Sequence, residues 1–239
     1  MERIYDEDEE GLARKTAEAF IGKAKELLVD NGRVVVSLPG GRSVQPFYGK
    51  IPEYAGSLKK EKWQRLHFFW TDERLVPPDS PDSNFRLARE LFLESLIEEG
   101  LVEPGNVHRF PGETDDPEGA LEEYARELSR ISDGRIHLPV LGVGSDGHVG
   151  SLFPGRSQLN PDGSKFFLVK NSPKPPEERI TISPEVIRGS SYPFLFFIGE
   201  EKRQAYQCFR NQGKTYMDCP CKLALGGNTE TAYVVTDLA

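Results

Sequence analysis

Apolar residues recur along this chain in two rhythms. Leu12, Ala13, Ala17, Phe20, Ala24, Leu27 and Leu28 fall at steps of three and four, the period of an amphipathic helix, and Asn31-Gly32 supplies its stop. Val34-Val35-Val36 then forms a short, wholly apolar run, which suits a parallel strand covered on both faces. The alternation repeats. Leu66 to Trp70 predicts a buried strand, Thr71 to Ser83 a polar, proline-rich loop, and Ser83 or Asn84 can cap a helix through Leu87, Leu91 and Leu96. Asn106 to Phe110 reads as a short strand, and Asp116-Pro117 opens a helix through Leu121, Tyr124, Ala125 and Leu128. Ile136 to Leu141 is another buried strand. Further strands are predicted at Phe166 to Val169, Arg179 to Ile182, Phe194 to Ile198 and Tyr233 to Val235, with a helix at Glu200 to Arg210. Apolar strands alternating with helices predict an α/β fold, Rossmann-like, with three α/β/α layers and a mostly parallel sheet. Neither an internal repeat nor a long linker interrupts the pattern, and the proline-dense stretch Pro173 to Pro176 reads as a stiff loop, so residues 1–239 are expected to form one domain.

Composition narrows the function. The chain has 239 residues, 37% apolar and 28% charged, with a formal net charge of −8. That field repels nucleic acid and anionic membranes, so neither is an expected partner. It leaves room for a phosphate ligand, because clustered arginines can reverse the sign inside one cleft. Met1 to Glu10 is acidic and does not read as a secretory signal. No apolar run approaches the roughly 18 residues of a membrane span. The three cysteines, Cys208, Cys219 and Cys221, predict a reducing cytoplasm, and Cys219-Pro220-Cys221 lacks the spacing of a zinc site. A cytoplasmic monomer with no metal and no cofactor is expected.

In a parallel α/β sheet, ligands bind beyond the carboxyl ends of the strands. Four polar loops of this chain lie near such ends. In the first, Gly40-Gly41-Arg42-Ser43, the glycines let backbone approach an anion, Arg42 can grip phosphate oxygens and Ser43 is a possible N-cap. The same residues also suit a plain tight turn with a solvated arginine, and the ending of a nucleotide P-loop is missing. In the second, Thr71-Asp72-Glu73-Arg74 with Asp82-Ser83-Asn84 forms either a structural ion-pair network or a substrate-orienting set in which Arg74 faces an anion or a carbonyl. The third, Gly142-Val143-Gly144-Ser145-Asp146-Gly147-His148, matches the dinucleotide spacing G-x-G-x-x-G. The segment after Gly147 is too short for the helix that motif requires, and Asp146 would oppose a pyrophosphate. It is better suited to hold one imidazole, His148, with a carboxylate nearby to fix its tautomer. In the fourth, Arg179 follows the rigid Lys174-Pro175-Pro176 stretch, placed either to close over a phosphate or to form a surface salt bridge.

Taken in order, these segments resemble the 6-phosphogluconolactonase family, within the group that includes glucosamine-6-phosphate deaminase. The resemblance runs through Leu38-Pro39-Gly40-Gly41-Arg42-Ser43, Thr71-Asp72-Glu73-Arg74-Leu75-Val76-Pro77, Asp82-Ser83-Asn84-Phe85, Gly142 to Pro154, and Pro175-Pro176 with Arg179-Ile180-Thr181. Deaminases of the group carry Tyr where this chain has Arg74, and an acid-bearing segment where it has Ser151-Leu152-Phe153-Pro154. Pro39 departs from the serine common before the glycine pair. The resemblance implies the deaminase-like fold and metal-free hydrolysis of 6-phosphoglucono-1,5-lactone. It also implies His148 as base and acid, Asp146 as its orienting partner and Arg74 near the developing oxyanion. Gly40, Gly41, Arg42, Ser43 and Arg179 would sit on the 6-phosphate, with Asp72 and Asn84 orienting the substrate.

Overall fold

A computed structural model describes residues 1–159 and 163–239. Its strands are β1 (Glu2–Tyr5), β2 (Val34–Leu38), β3 (Leu66–Trp70), β4 (Asp72–Arg74), β5 (Leu138–Gly142), β6 (Phe166–Val169), β7 (Arg179–Ile182), β8 (Phe194–Phe197) and β9 (Tyr233–Thr236). Among the described residues, one sheet of six strands runs in the order β1-β9-β8-β5-β2-β3, and every neighbouring pair in it is parallel. A second sheet, β4-β7-β6, is antiparallel.

Alternation along each strand divides the interior into two apolar layers, because successive side chains leave a strand on opposite faces. Val34, Val36 and Leu38 of β2, Leu138 and Val140 of β5, and Phe194 and Phe196 of β8 pack into one layer with the helix Glu9–Asp30 and the helix Gln45–Lys50. Val35, Leu141, Leu195 and Phe197 enter the other, with the helices Pro117–Ser132 and Arg203–Arg210. This is the expected three-layer α/β/α arrangement, and it explains why the strands read as continuous apolar runs. Polar caps start the helices where predicted. Ser83 Oγ accepts from Arg86 N at 3.1 Å, and Asp116 Oδ1 accepts from Gly119 N at 3.0 Å. No helix among the described residues is long and apolar enough to cross a membrane.

Besides unpredicted short helices at Lys60–Trp63 and Pro184–Arg188, four departures from the sequence pattern stand out. The acidic segment at the N-terminus contains β1, an edge strand held by parallel backbone pairing with β9, which needs no apolar run. Thr71 to Ser83 opens with β4 before it becomes a loop. Asn106 to Phe110 makes a single bridge, Phe68 to Val107, and does not extend as a strand. Ser43 lies inside a 3-10 turn, Arg42–Val44, that starts after Gly41, and its side chain makes no capping bond.

Candidate active site

The carboxyl ends of β2, β3, β5 and β8 lead into loops that surround one cavity of about 580 Å³. Its wall includes Gly40, Gly41, Arg42 and Ser43 after β2, Asp72 and Arg74 after β3, Gly144 and His148 after β5, and Lys202 after β8. Lys174 and Arg179 enter from the antiparallel sheet and the loop before it. The cavity thus brings together most of the residues singled out in four separate loops.

The glycine-rich loop after β5 doubles back on itself. Gly144 N donates to His148 O at 2.9 Å, and Gly147 N donates to Gly144 O at 3.0 Å. Gly147 has φ +86°, a left-handed conformation that glycine adopts at little cost. A Cβ at Gly144 would lie 2.0 Å from both Nδ1 and Cε1 of His148, so only a glycine lets the imidazole fold across the turn. No helix opens at Gly147, which removes the structural context of a dinucleotide motif. His148 Nδ1 lies 2.5 Å from Asp146 Oδ1, and the same oxygen accepts from His148 N at 3.2 Å. Burial pushes the Asp146 carboxyl up, but the hydrogen bond and charge of His148, with backbone N–H groups, outweigh it and hold the pKa down at about 2. Asp146 stands behind the imidazole and outside the cavity wall, while His148 lines it. With Nδ1 committed to the carboxylate, Nε2 is the nitrogen left for chemistry.

The segment around Asp72 is a buried polar network. Ser151 Oγ donates to Asp72 Oδ2 at 2.9 Å, and Ser151 N donates to Thr181 Oγ1 at 3.0 Å, which ties the His148 loop to the antiparallel sheet. Asn84 Nδ2 donates to the Asp72 carbonyl at 2.7 Å and to Asp72 Oδ1 at 3.2 Å. Asn84 therefore lies behind Asp72, outside the cavity wall. Glu73, assigned no role of its own by any motif, is the anchor of this loop. Its carboxylate accepts from the backbone N–H of Arg74, Asn84 and Phe85 at 2.7, 2.8 and 2.7 Å, and from Ser83 Oγ at 3.1 Å. Burial pushes its pKa up against the pull of those N–H groups. Arg74 is half-buried, donates through Nη1 to the Asp82 carbonyl, and keeps a buried Nε with no protein partner.

Arg179 is 4% exposed, and its guanidinium is clamped by backbone. Nε donates to Pro176 O at 2.8 Å, and Nη2 donates to Lys174 O and Pro175 O at 2.8 and 2.9 Å. Nη1 makes none of these bonds and stands 3.9 Å from Asp72 Oδ2. This is neither of the bare alternatives read from sequence: the arginine both holds its own loop and lines the cavity. Lys202 is the residue that sequence reasoning missed. It is half-buried at the mouth of the helix after β8, and burial lowers its pKa while Glu201 raises it and Lys174 and Arg42 lower it. The available signal was its position just past the carboxyl end of a predicted strand. Arg42, Arg74, Lys174, Arg179 and Lys202 line the cavity together with the carboxylates Glu7, Glu9, Asp72, Glu201 and Asp237, so its wall is near charge balance on a chain of net charge −8. Among the described residues, no group of three or more His, Cys, Asp and Glu side chains is placed to hold a metal ion.

Known proteins resemble this chain over most of its length. A 6-phosphogluconolactonase of Thermotoga maritima is 35% identical over 195 residues, covering 81% of this chain and 82% of that protein. A 6-phosphogluconolactonase of Borreliella burgdorferi is 30% identical over 226 residues, covering 93% of this chain and 91% of that protein. The crystal structure of 6-phosphogluconolactonase from Thermotoga maritima superposes with a TM-score of 0.80 at 28% identity, over 98% of this chain and 99% of that one. The family model for glucosamine-6-phosphate isomerases and 6-phosphogluconolactonase matches residues 7–233. The chain belongs to the glucosamine-6-phosphate isomerase/6-phosphogluconolactonase family.

Proposed function

We propose that this protein hydrolyses 6-phosphoglucono-1,5-lactone to 6-phosphogluconate. The observation that carries this reading is the meeting, in one cavity, of an imidazole fixed by a carboxylate and a set of basic side chains. Lactone hydrolysis needs an activated water, stabilisation of a tetrahedral oxyanion and a proton for the departing ring oxygen. His148 Nε2 takes a proton from water as the oxygen attacks the lactone carbonyl. The resulting imidazolium, stabilised by Asp146, returns the proton to the ring oxygen as the C–O bond breaks. Arg74, with an unpartnered Nε, or backbone N–H groups of the glycine loops face the developing negative charge. Gly40, Gly41, Arg42, Ser43, Arg179 and Lys202 hold the 6-phosphate, and binding energy from that remote group positions the carbonyl. Asp72 orients the sugar from the cavity wall, with Asn84 holding Asp72 from behind. The reading requires neither metal nor cofactor.

The lactonase reading is favoured over the deaminase one by Arg74 and by Ser151. Ser151 falls in the segment where the deaminases carry an acid, and here its hydroxyl is spent on Asp72. The test is hydrolysis of freshly generated lactone, followed by proton release and corrected for the spontaneous rate. A rate equal to the uncatalysed one, combined with tight binding of 6-phosphogluconate, would instead indicate a sugar-phosphate sensor.

A further inference from the structure

Cys219 and Cys221 lie against the His148 loop, with Cys208 beside Cys219, and the proposed hydrolysis has no use for any of the three. Cys219 and Cys221 are fully buried, with Sγ atoms 3.3 Å apart. Cys208, half-buried on the helix Arg203–Arg210, is close enough to Cys219 for the two thiols to alter each other's acidity. Both buried cysteines bear on one residue, Gly147. Cys219 Sγ stands 2.9 Å from where a Cβ of Gly147 would be, and Cys221 N donates to Gly147 O at 2.9 Å. Gly147 is the left-handed hinge between Asp146 and His148.

We propose that Cys208, Cys219 and Cys221 form an oxidation site that takes a hydroperoxide and closes a disulfide at Cys219, displacing the Gly147 turn and with it His148. Its readout through lactone hydrolysis rests on the function proposed above; its chemistry does not. Cys208 is the thiol that solvent reaches. Burial and the neighbouring Cys219 sulfur push its pKa up, so only a minor thiolate fraction attacks the hydroperoxide and this first step is slow. The O–O bond breaks, an alcohol or water leaves with a proton, and the sulfur, oxidised by two electrons, becomes a sulfenic acid. The Cys219 thiolate then attacks that sulfur; the S–S bond forms, the S–O bond breaks and the oxygen leaves as water. Cys221 lies within reach of Cys219 and can exchange with the new bond, returning Cys208 as a thiol. The hydrogen bond from Cys221 lowers the Cys219 pKa to about 7 despite burial, with Cys208 and Lys222 assisting, so a thiolate is available near neutral pH. An S–S bond is roughly 2.05 Å long. Closing the Cys219–Cys221 pair from 3.3 Å to that length shifts one or both sulfurs by about 1.2 Å in total, and both residues bear on Gly147.

The experiment treats the full chain with hydrogen peroxide, alkylates the remaining thiols and reads the intact mass, with hydrogen exchange over residues 142–152 in parallel. The expected result is loss of two alkylatable thiols, a mapped disulfide that includes Cys219, and several-fold faster exchange in the loop, all reversed by dithiothreitol. Cys219→Ser should abolish all three effects. Cys208→Ser, at a half-exposed position that leaves the buried pair intact, should slow disulfide formation several-fold. Three alkylatable thiols after treatment, a disulfide lacking Cys219, or a Cys219 disulfide with unchanged exchange in the loop would each overturn the proposal. These measurements decide it even if the protein hydrolyses no lactone. Where it does, the rate should fall and recover with the exchange.

Discussion

Gly40 and Asn84 press against each other so closely that a methyl group on Gly40 would stand 1.8 Å from Asn84 Oδ1. The contact couples two loops that lie far apart in sequence. Asn84 in turn holds Asp72 through two hydrogen bonds, at 2.7 and 3.2 Å, and Asp72 lines the cavity. Gly40 thus serves less for its own backbone angles than for the space it leaves.

Gly40→Ala should destabilise the fold by about 1–3 kcal/mol, the usual cost of forcing extra volume into a packed site. Lactone turnover should fall with it as Asp72 is displaced. Urea unfolding and steady-state kinetics check both. In an Asn84→Ala background, where the clashing carboxamide is gone, the added cost of Gly40→Ala should shrink; equal costs in both backgrounds would show that the contact is not the cause.

His148→Ala should lower kcat roughly 10²–10⁴-fold, the range for a positioned acid–base group. Asp146→Asn should also reduce kcat, because an amide can present its NH2 to Nδ1 and leave the proton on Nε2. The outcome that separates orientation from general damage is the KM, which should change little in either variant. Wild-type turnover in His148→Ala would remove the imidazole from the chemistry.

Lys202→Ala removes a half-buried cation from the cavity without touching a loop clamp. It should raise KM for the phosphorylated lactone about tenfold, as expected for about 1.5 kcal/mol of charge-assisted bonding, and leave unphosphorylated gluconolactone little affected. Arg179→Ala should raise the same KM and also reduce thermal stability, because three backbone carbonyls lose their donor. Equal losses on both lactones in Lys202→Ala would argue against a phosphate site there.

His67 is a buried histidine on β3, remote in role from the cavity, with Nδ1 3.0 Å from His108 Nε2. Burial first, then the neighbouring charges of His108, Arg33 and Arg130, push its pKa down to about 4 from the ordinary 6.5. Between those values the unfolded chain binds a proton that the folded chain refuses, so stability falls as pH drops from 6.5 towards 4. The slope from this group is at most about 1.4 kcal/mol per pH unit. His67→Gln should flatten the pH dependence of the urea midpoint across that window, whatever it does to stability at neutral pH. An unchanged slope would mean that the ring titrates normally.

The parallel strands and the long helices were legible because each is specified locally. Val34 to Leu38 and Leu138 to Gly142 are buried on both faces, so their apolar character had no alternation to confuse it, and Asp116 and Ser83 cap helices with their own side chains. β1 was not legible, since Glu2–Tyr5 is an edge strand held by the backbone of β9, more than two hundred residues away. β4 was hidden in the same way, because its pairing with β7 converts what looks like a charged loop into a strand.

The residue types in the cavity loops were likewise set by sequence: a glycine turn bearing Asp146 and His148, a glycine pair followed by Arg42, and arginines at 74 and 179. Where each one points was decided only by the folded chain. Asn84 turned out to lie behind Asp72, Arg179 to brace its own loop, Glu73 to gather three backbone N–H groups, and Lys202 to join the cations. The physical reason is one of range. Hydrophobic period and capping act over a few residues and leave their mark in the order of the chain, whereas a hydrogen bond or a close approach between loops depends on two segments meeting in space. No short stretch of sequence records that meeting.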